Sequence, residues 1–203
     1  MNPSKPVDKE VVKKYLTDLQ SKIVETIEMV DGKNFLNDTW QRKEGGGGTT
    51  CIMENGNIFE RAGVGFSHVI GSKLPKSATD AHPEVVNRRW EAMGVSLVFH
   101  PDNPFIPTVH MNIRFFIASK DGEEDIWWFG GGMDLTPYYP FLEDVTHFHQ
   151  TIKKATYTSL CFCQHNGACF SLILVLICFS TPLKSVQISF SNGSIPHSFF
   201  EGI

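Results

Sequence analysis

The sequence predicts an α+β fold, in which a largely antiparallel β-sheet is preceded, interrupted and followed by helices. Three observations lead there. Val7 to Val30 repeats apolar side chains at spacings of three and four, the period of an amphipathic helix. Thr108 to Ala118 alternates apolar and polar residues at period two, as a half-buried strand does. Between these lie short strand-like runs bounded by turn signals, an order that suits antiparallel pairing better than βαβ crossovers.

The first helix presents Val12, Tyr15, Leu16, Leu19, Ile23 and Ile27 on one side and charges on the other, with Asp8 placed to cap its start. Trp40 to Glu44 leads into Gly45–Gly48, a run too flexible for a strand interior and expected to be a linker or lid. Cys51–Met53 and Ile58–Glu60 flank an Asn55-Gly56 pair, a strong hairpin signal, and Val64 to Ile70 is a third strand. Pro83 to Met93 reads as a second helix, with proline in its first turn and Gly94 just past its end. Val95–His100 is a short strand closed by the turn residues Pro101 to Pro104. After the Thr108–Ala118 strand, Asp121-Gly122 turns the chain into Ile126–Phe129, expected to end at Gly130-Gly131-Gly132. Phe141 to Lys154 is the third helix.

Composition narrows the function classes. A formal net charge of −4 gives no reason to expect nucleic acid as a partner, and no apolar run is long enough to span a membrane as a helix. The polar, lysine-bearing start lacks the apolar core of a secretory signal, and five cysteines, an odd number, argue against a disulfide framework, so a cytoplasmic location is expected. The aromatic content suits sheet packing or a flat apolar ligand. Two regions differ sharply: only Lys184 and Glu201 among the charged residues lie after residue 155, whereas four of the five cysteines do. Residues 1–155 are therefore expected to form one domain. Residues 156–203, with an apolar run from Ala168 to Phe179, are expected to be a tail foreign to it or a hydrophobic extension.

Chemistry concentrates in three places. On the Thr108–Ala118 strand, period two puts His110, Asn112 and Arg114 on one face, about 6–7 Å from one to the next. Ser96 and His100 share a face of the preceding strand, so pairing of the two would make a donor-rich surface suited to carboxylates; a merely solvated sheet face is the alternative. Asp134, after the three glycines, is placed to accept N–H groups or act as a base, or else simply to sit in a turn. His147 and His149 lie two apart on a helix and point about 200° from each other, so they cannot share one metal ion. His149 with His100 and His110 could form a three-histidine site in space, although no spacing of a structural zinc site is present.

Longer strings then become informative. Ala92-Met93-Gly94-Val95-Ser96-Leu97-Val98 is followed by His100-Pro101 and Asn103-Pro104. His-x-Asn-x-Arg follows on the Thr108 strand, and then Trp127 to Pro137, Glu143-Asp144 and His147-Phe148-His149. Together they resemble the oxygen-dependent coproporphyrinogen III oxidases, from about Tyr15 to Ala155. The resemblance implies a flat antiparallel sheet flanked by helices on both faces, a homodimer, and a substrate cleft. It implies oxidative decarboxylation of two propionates of coproporphyrinogen III to vinyls, giving protoporphyrinogen IX, with molecular oxygen as co-substrate and no organic cofactor. By resemblance His110, Asp134 and Arg114 are catalytic; Ser96, Asn112, Ile113 and Arg114 bind substrate; and any divalent metal would fall to His100, His110 and His149.

After Ala155 the resemblance stops, and the further strands and Tyr-Asp-Arg-Gly segment of family members are not found. A sheet cut there would expose an unpaired edge. Two other functions are therefore carried beside the enzyme: an inactive fragment that binds porphyrinogen or a full-length subunit, and a histidine metal-binding module.

Overall fold

The computed structural model describes residues 7–74, 79–80, 82–166 and 185–191, with side chains as far as residue 154. Helix α1 (Lys9–Asp31) starts at Asp8, whose carboxylate accepts from the Glu10 and Val11 amides, and stops at Gly32 in the left-handed region (φ 82°). Strands β1 (Leu36–Gln41), β2 (Gly46–Glu54), β3 (Phe59–Gly71), β4 (Arg89–Pro101), β5 (Thr108–Ser119) and β6 (Ile126–Thr136) follow, then helix α2 (Leu142–Asn166) and strand β7 (Ser185–Ser191). The seven strands form one sheet in chain order, every neighbouring pair antiparallel. The fold is α+β, as the sequence predicts.

Alternation divides the sheet into two faces. On one, α1 packs against β3 and β4, burying Val12 and Leu16 with Val64, Phe66, Met93, Val95, Ile113 and Phe115. Tyr15, expected on this apolar stripe, is exposed instead. Gln20, a polar α1 side chain buried against the sheet, donates to the carbonyls of Thr49 (2.9 Å) and Val64 (3.0 Å), so its burial leaves no orphaned amide. At the far end of α1, Asp31 accepts from the backbone amides of Asn57, Ile58 and Phe59 at 2.9–3.0 Å. That ties the helix to the β2–β3 hairpin, where the Asn55-Gly56 turn forms as expected.

Several elements differ from the sequence expectation. The helix expected over Pro83 to Met93 is a single 3-10 turn, Pro83–Val85, after which the chain runs extended through β4. Gly94 is therefore mid-strand and not a helix cap. A Cβ there would stand 2.4 Å from the Ile113 carbonyl oxygen, so the residue is small because β5 lies so close. Gly46–Gly48 belong to β2 and are no lid. A Cβ on Gly48 would meet the Phe66 carbonyl at 2.2 Å and the Trp40 indole at 2.6 Å. Ile58–Glu60 and Val64–Ile70 lie in one continuous strand but for Ile58, β1 was not anticipated, and β6 passes straight through its three glycines. The apolar run Ala168 to Phe179 lies outside the described residues, whereas β7, from the same tail, pairs with β6, so the edge of β6 is not left unpaired.

Candidate functional site

The sheet face opposite α1 carries the polar residues singled out in the sequence, and the strand register sets them in rows. Gly63, Val98, His110 and Asp134 stand side by side across β3–β6. The next row on this face is Gly65, Ser96, Asn112 and Gly132, and the next is Ser67, Gly94, Arg114 and Gly130. Neighbours within a row are about 4.8 Å apart, and rows on one face about 6–7 Å. The expected pairing of β4 with β5 is present, with Ser96 directly opposite Asn112.

His110 Nδ1 lies 2.7 Å from Asp134 Oδ2, a close contact between cross-strand partners that are both partly exposed (39% and 30%). An ionised carboxylate only accepts, so against it Nδ1 is the donor, and in the neutral ring Nε2 carries the lone pair. Asp134 is thus a strand residue facing His110 and not a turn residue, and among the described residues its other oxygen has only the distant Thr136 hydroxyl at 3.5 Å. The side chains of Ser67, Ser96, Asn112 and Arg114 have no hydrogen-bond or ion-pair partner among the described residues. Polar groups held in a rigid sheet without protein partners are those a ligand can engage at little ordering cost. Ile113 points the other way, into the core at 6% exposure, so only its backbone can face this side.

The glycines explain the accessibility. Arg114 is flanked by Gly94 and Gly130, so no cross-strand side chain rises beside it, and Asn112 has Gly132 on one side and the small Ser96 on the other. Beyond Arg114 the face turns aromatic. Trp128 stacks on Phe116 (4.2 Å between ring centres) and on His82 (4.8 Å), while Trp90 continues the stack from Phe116 at 6.2 Å. This stack, not anticipated from the sequence, bounds the polar rows on one side.

The three histidines assigned to metal by resemblance are not drawn together. His100 Nδ1 contacts the Thr108 hydroxyl at 3.2 Å, His110 contacts Asp134, and His149 lies on α2 edge-on to Phe148. Among the described residues no group of three or more His, Cys, Asp or Glu side chains is arranged to hold a metal ion. As placed among the described residues, His100, His110 and His149 do not form a metal site. Nor is any helix among the described residues long and apolar enough to cross a membrane.

The family model for coproporphyrinogen III oxidase matches residues 11–165, a span that begins in α1, contains β1 to β6 and ends inside α2. Well over half of the chain is matched, and the matched part contains every row described above. The chain belongs to the coproporphyrinogen III oxidase family, oxidoreductases of porphyrin biosynthesis.

Proposed function

We propose that this chain binds coproporphyrinogen III on the face opposite α1 and converts two of its propionates to vinyls with molecular oxygen as oxidant, giving protoporphyrinogen IX. The observation that carries this is the His110–Asp134 pair set beside Ser96, Asn112 and Arg114, which have no partner among the described residues, on one accessible face. The substrate's chemistry matches that face. Its propionates ask for a guanidinium and neutral donors, and its pyrrole N–H groups ask for an acceptor.

Each propionate loses carbon dioxide, one proton and two electrons as its two methylenes become a vinyl. Two such losses release four electrons and two protons, which with two further protons reduce one dioxygen to two waters. In this scheme Asp134 accepts a pyrrole N–H on the oxygen that His110 leaves unused, since a carboxylate has about four lone-pair sites. It makes the macrocycle more electron-rich toward oxygen. His110, held by Asp134 with Nε2 outward, accepts the proton lost from the side chain. Arg114 grips a propionate, with Ser96 and Asn112 adding hydrogen bonds.

Incubating the purified 203-residue chain aerobically with coproporphyrinogen III tests the proposal, with protoporphyrin fluorescence read after oxidation. Product that requires oxygen and disappears in Asp134→Ala is the expected result. Product formed equally without oxygen would exclude oxygen as the oxidant. No product while the macrocycle is bound would leave this chain a binding protein only.

A further inference from the structure

Trp40, on β1, has no role in the scheme above, yet it forms a wall of the recess that contains Arg114. The recess has about 150 Å³ of free space and is lined by Trp40, Thr50, Gly65, Ser67, Ser96 and Arg114 among others, none of them acidic. We propose that Trp40, Thr50 and Ser67 complete, with Ser96 and Arg114, a subsite that anchors one propionate carboxylate away from the reacting centre. The inference rests on the substrate class argued above and adds to it which residues read the substrate's periphery.

Size sets the first limit. Pockets for drug-sized ligands run to about 300–1,000 Å³, so this recess takes a side chain and not a macrocycle. Electrostatics sets the second, because among the described residues Arg114 is the one cation lining it and no lining carboxylate opposes an anion. Hydrogen-bond direction sets the third. The Trp40 indole N–H donates to the Thr50 hydroxyl oxygen (3.3 Å), which leaves the Thr50 proton free to donate outward. Ser67 and Ser96 have no protein partner among the described residues, so their hydroxyls can turn to donate as well. Three hydroxyl donors and a guanidinium thus border one space, a match for the lone pairs of a carboxylate.

Distance separates this carboxylate from the reaction. Arg114 and His110 are four residues apart on one strand, or about 13 Å. A propionate held in the recess is therefore not the one beside His110, and its retention fixes which edge of the macrocycle meets the His110–Asp134 pair. Trp40 stands where it does because Gly48 beneath it has no side chain.

Binding of coproporphyrin, the stable oxidised macrocycle, and of its tetramethyl ester separates the outcomes, measured by fluorescence titration on the full chain. Ser67→Ala and Thr50→Val each remove one hydroxyl donor to an ionised carboxylate, a charge-assisted bond weakened by the recess being open to solvent. Each is expected to weaken the acid by about three- to tenfold and to leave the ester unchanged. Trp40→Phe keeps the wall but drops the bond that orients Thr50, and should match Thr50→Val. Acid and ester falling together in every variant would mean a merely structural role and overturn the proposal. So would unchanged acid binding in all three while Arg114→Ala weakens it. If the unaltered chain binds neither compound, the substrate class itself is wrong and the subsite falls with it.

Discussion

Removing one carboxylate, Asp31, should loosen the joint between α1 and the sheet. Asp31 is 3% exposed and accepts three backbone amides of the β2–β3 turn, from Asn57, Ile58 and Phe59. Hydrogen bonds to a charged group contribute about 1.5–3 kcal/mol each, but Asn57 and Ile58 lie at the surface, where water can replace part of what is lost. Asp31→Ala should therefore destabilise the chain by about 2–4 kcal/mol at neutral pH, read from the denaturation midpoint at unchanged slope. Burial alone would raise the Asp31 pKa. The three amides, helped by Lys33, outweigh it and hold the carboxyl below its ordinary value of 3.8. A lowered folded-state pKa means stability that is present above the unfolded value and lost as pH falls through the folded one. The gap between Asp31→Ala and the unaltered chain should accordingly be constant from pH 7 to about 5 and narrow below about 4. A penalty under about 1 kcal/mol at pH 7, or one that does not narrow in acid, would refute the carboxylate's role as the clamp.

Three further changes test separate parts of the structure. Asp134→Ala should lower turnover by about 100- to 10,000-fold, the range for a positioned acid–base group, without unfolding a partly exposed strand site; turnover and circular dichroism on one preparation check both. Gly94→Ala places a methyl 2.4 Å from the Ile113 carbonyl, so the β4–β5 ladder must part; a loss of about 1–3 kcal/mol and weaker macrocycle binding are expected, by thermal melting and titration. Glu91 is bonded to Lys9 at the start of α1 and to His68 Nε2 at 3.1 Å. Burial would push its pKa up, but those two bonds hold it below the ordinary carboxylate value. Glu91→Gln should lose about 1 kcal/mol at pH 7, fading as pH falls through the Glu91 folded pKa, with faster amide exchange in the first turns of α1.

What the sequence made legible was whatever had a period or a cap of its own. α1 announced itself through its stripe and Asp8, β5 through alternation, and the β2–β3 turn through Asn55-Gly56. What it hid depended on distant backbone. Gly46–Gly48, Gly94 and Gly130–Gly132 look like breaks because local propensity registers only their flexibility. In the fold they are strand residues, and Gly48 and Gly94 are small because a neighbouring strand lies within 2.5 Å of where a Cβ would be. The mistaken helix over Pro83 to Met93 followed from proline and glycine at helix-like positions, which the pairing of β4 with both β3 and β5 overrode. The His110–Asp134 contact was within reach. Both residues are twelve positions from Gly122, and folding the sequence back on that turn pairs them, along with Asn112 and Gly132 and Arg114 and Gly130. The Trp90–Phe116–Trp128–His82 stack was not within reach, since it needs the register of three strands and a loop together.

The same strands serve two opposed demands, and glycine placement shows how they are reconciled. Gly48, Gly63, Gly65, Gly94, Gly130 and Gly132 all fall on the face opposite α1, among the residues assigned to substrate. A glycine in a strand interior costs roughly 0.5–1 kcal/mol relative to alanine wherever alanine would fit, as at Gly63 and Gly65, where an added Cβ meets nothing closer than 3.9 Å, so a solvated polar face has no need of those two. The proposed macrocyclic substrate would use them, because a backbone floor lets a bulky ring system approach closely while the guanidinium and imidazole reach it from the side. Cohesion must then come from the other face, where α1 covers Val64, Met93, Val95, Ile113 and Phe115. It follows that changes on the α1 face should lower stability first and binding only as a consequence. A bulky residue at Gly65, where an added Cβ finds no atom closer than 4.0 Å, should block the macrocycle while leaving the fold standing.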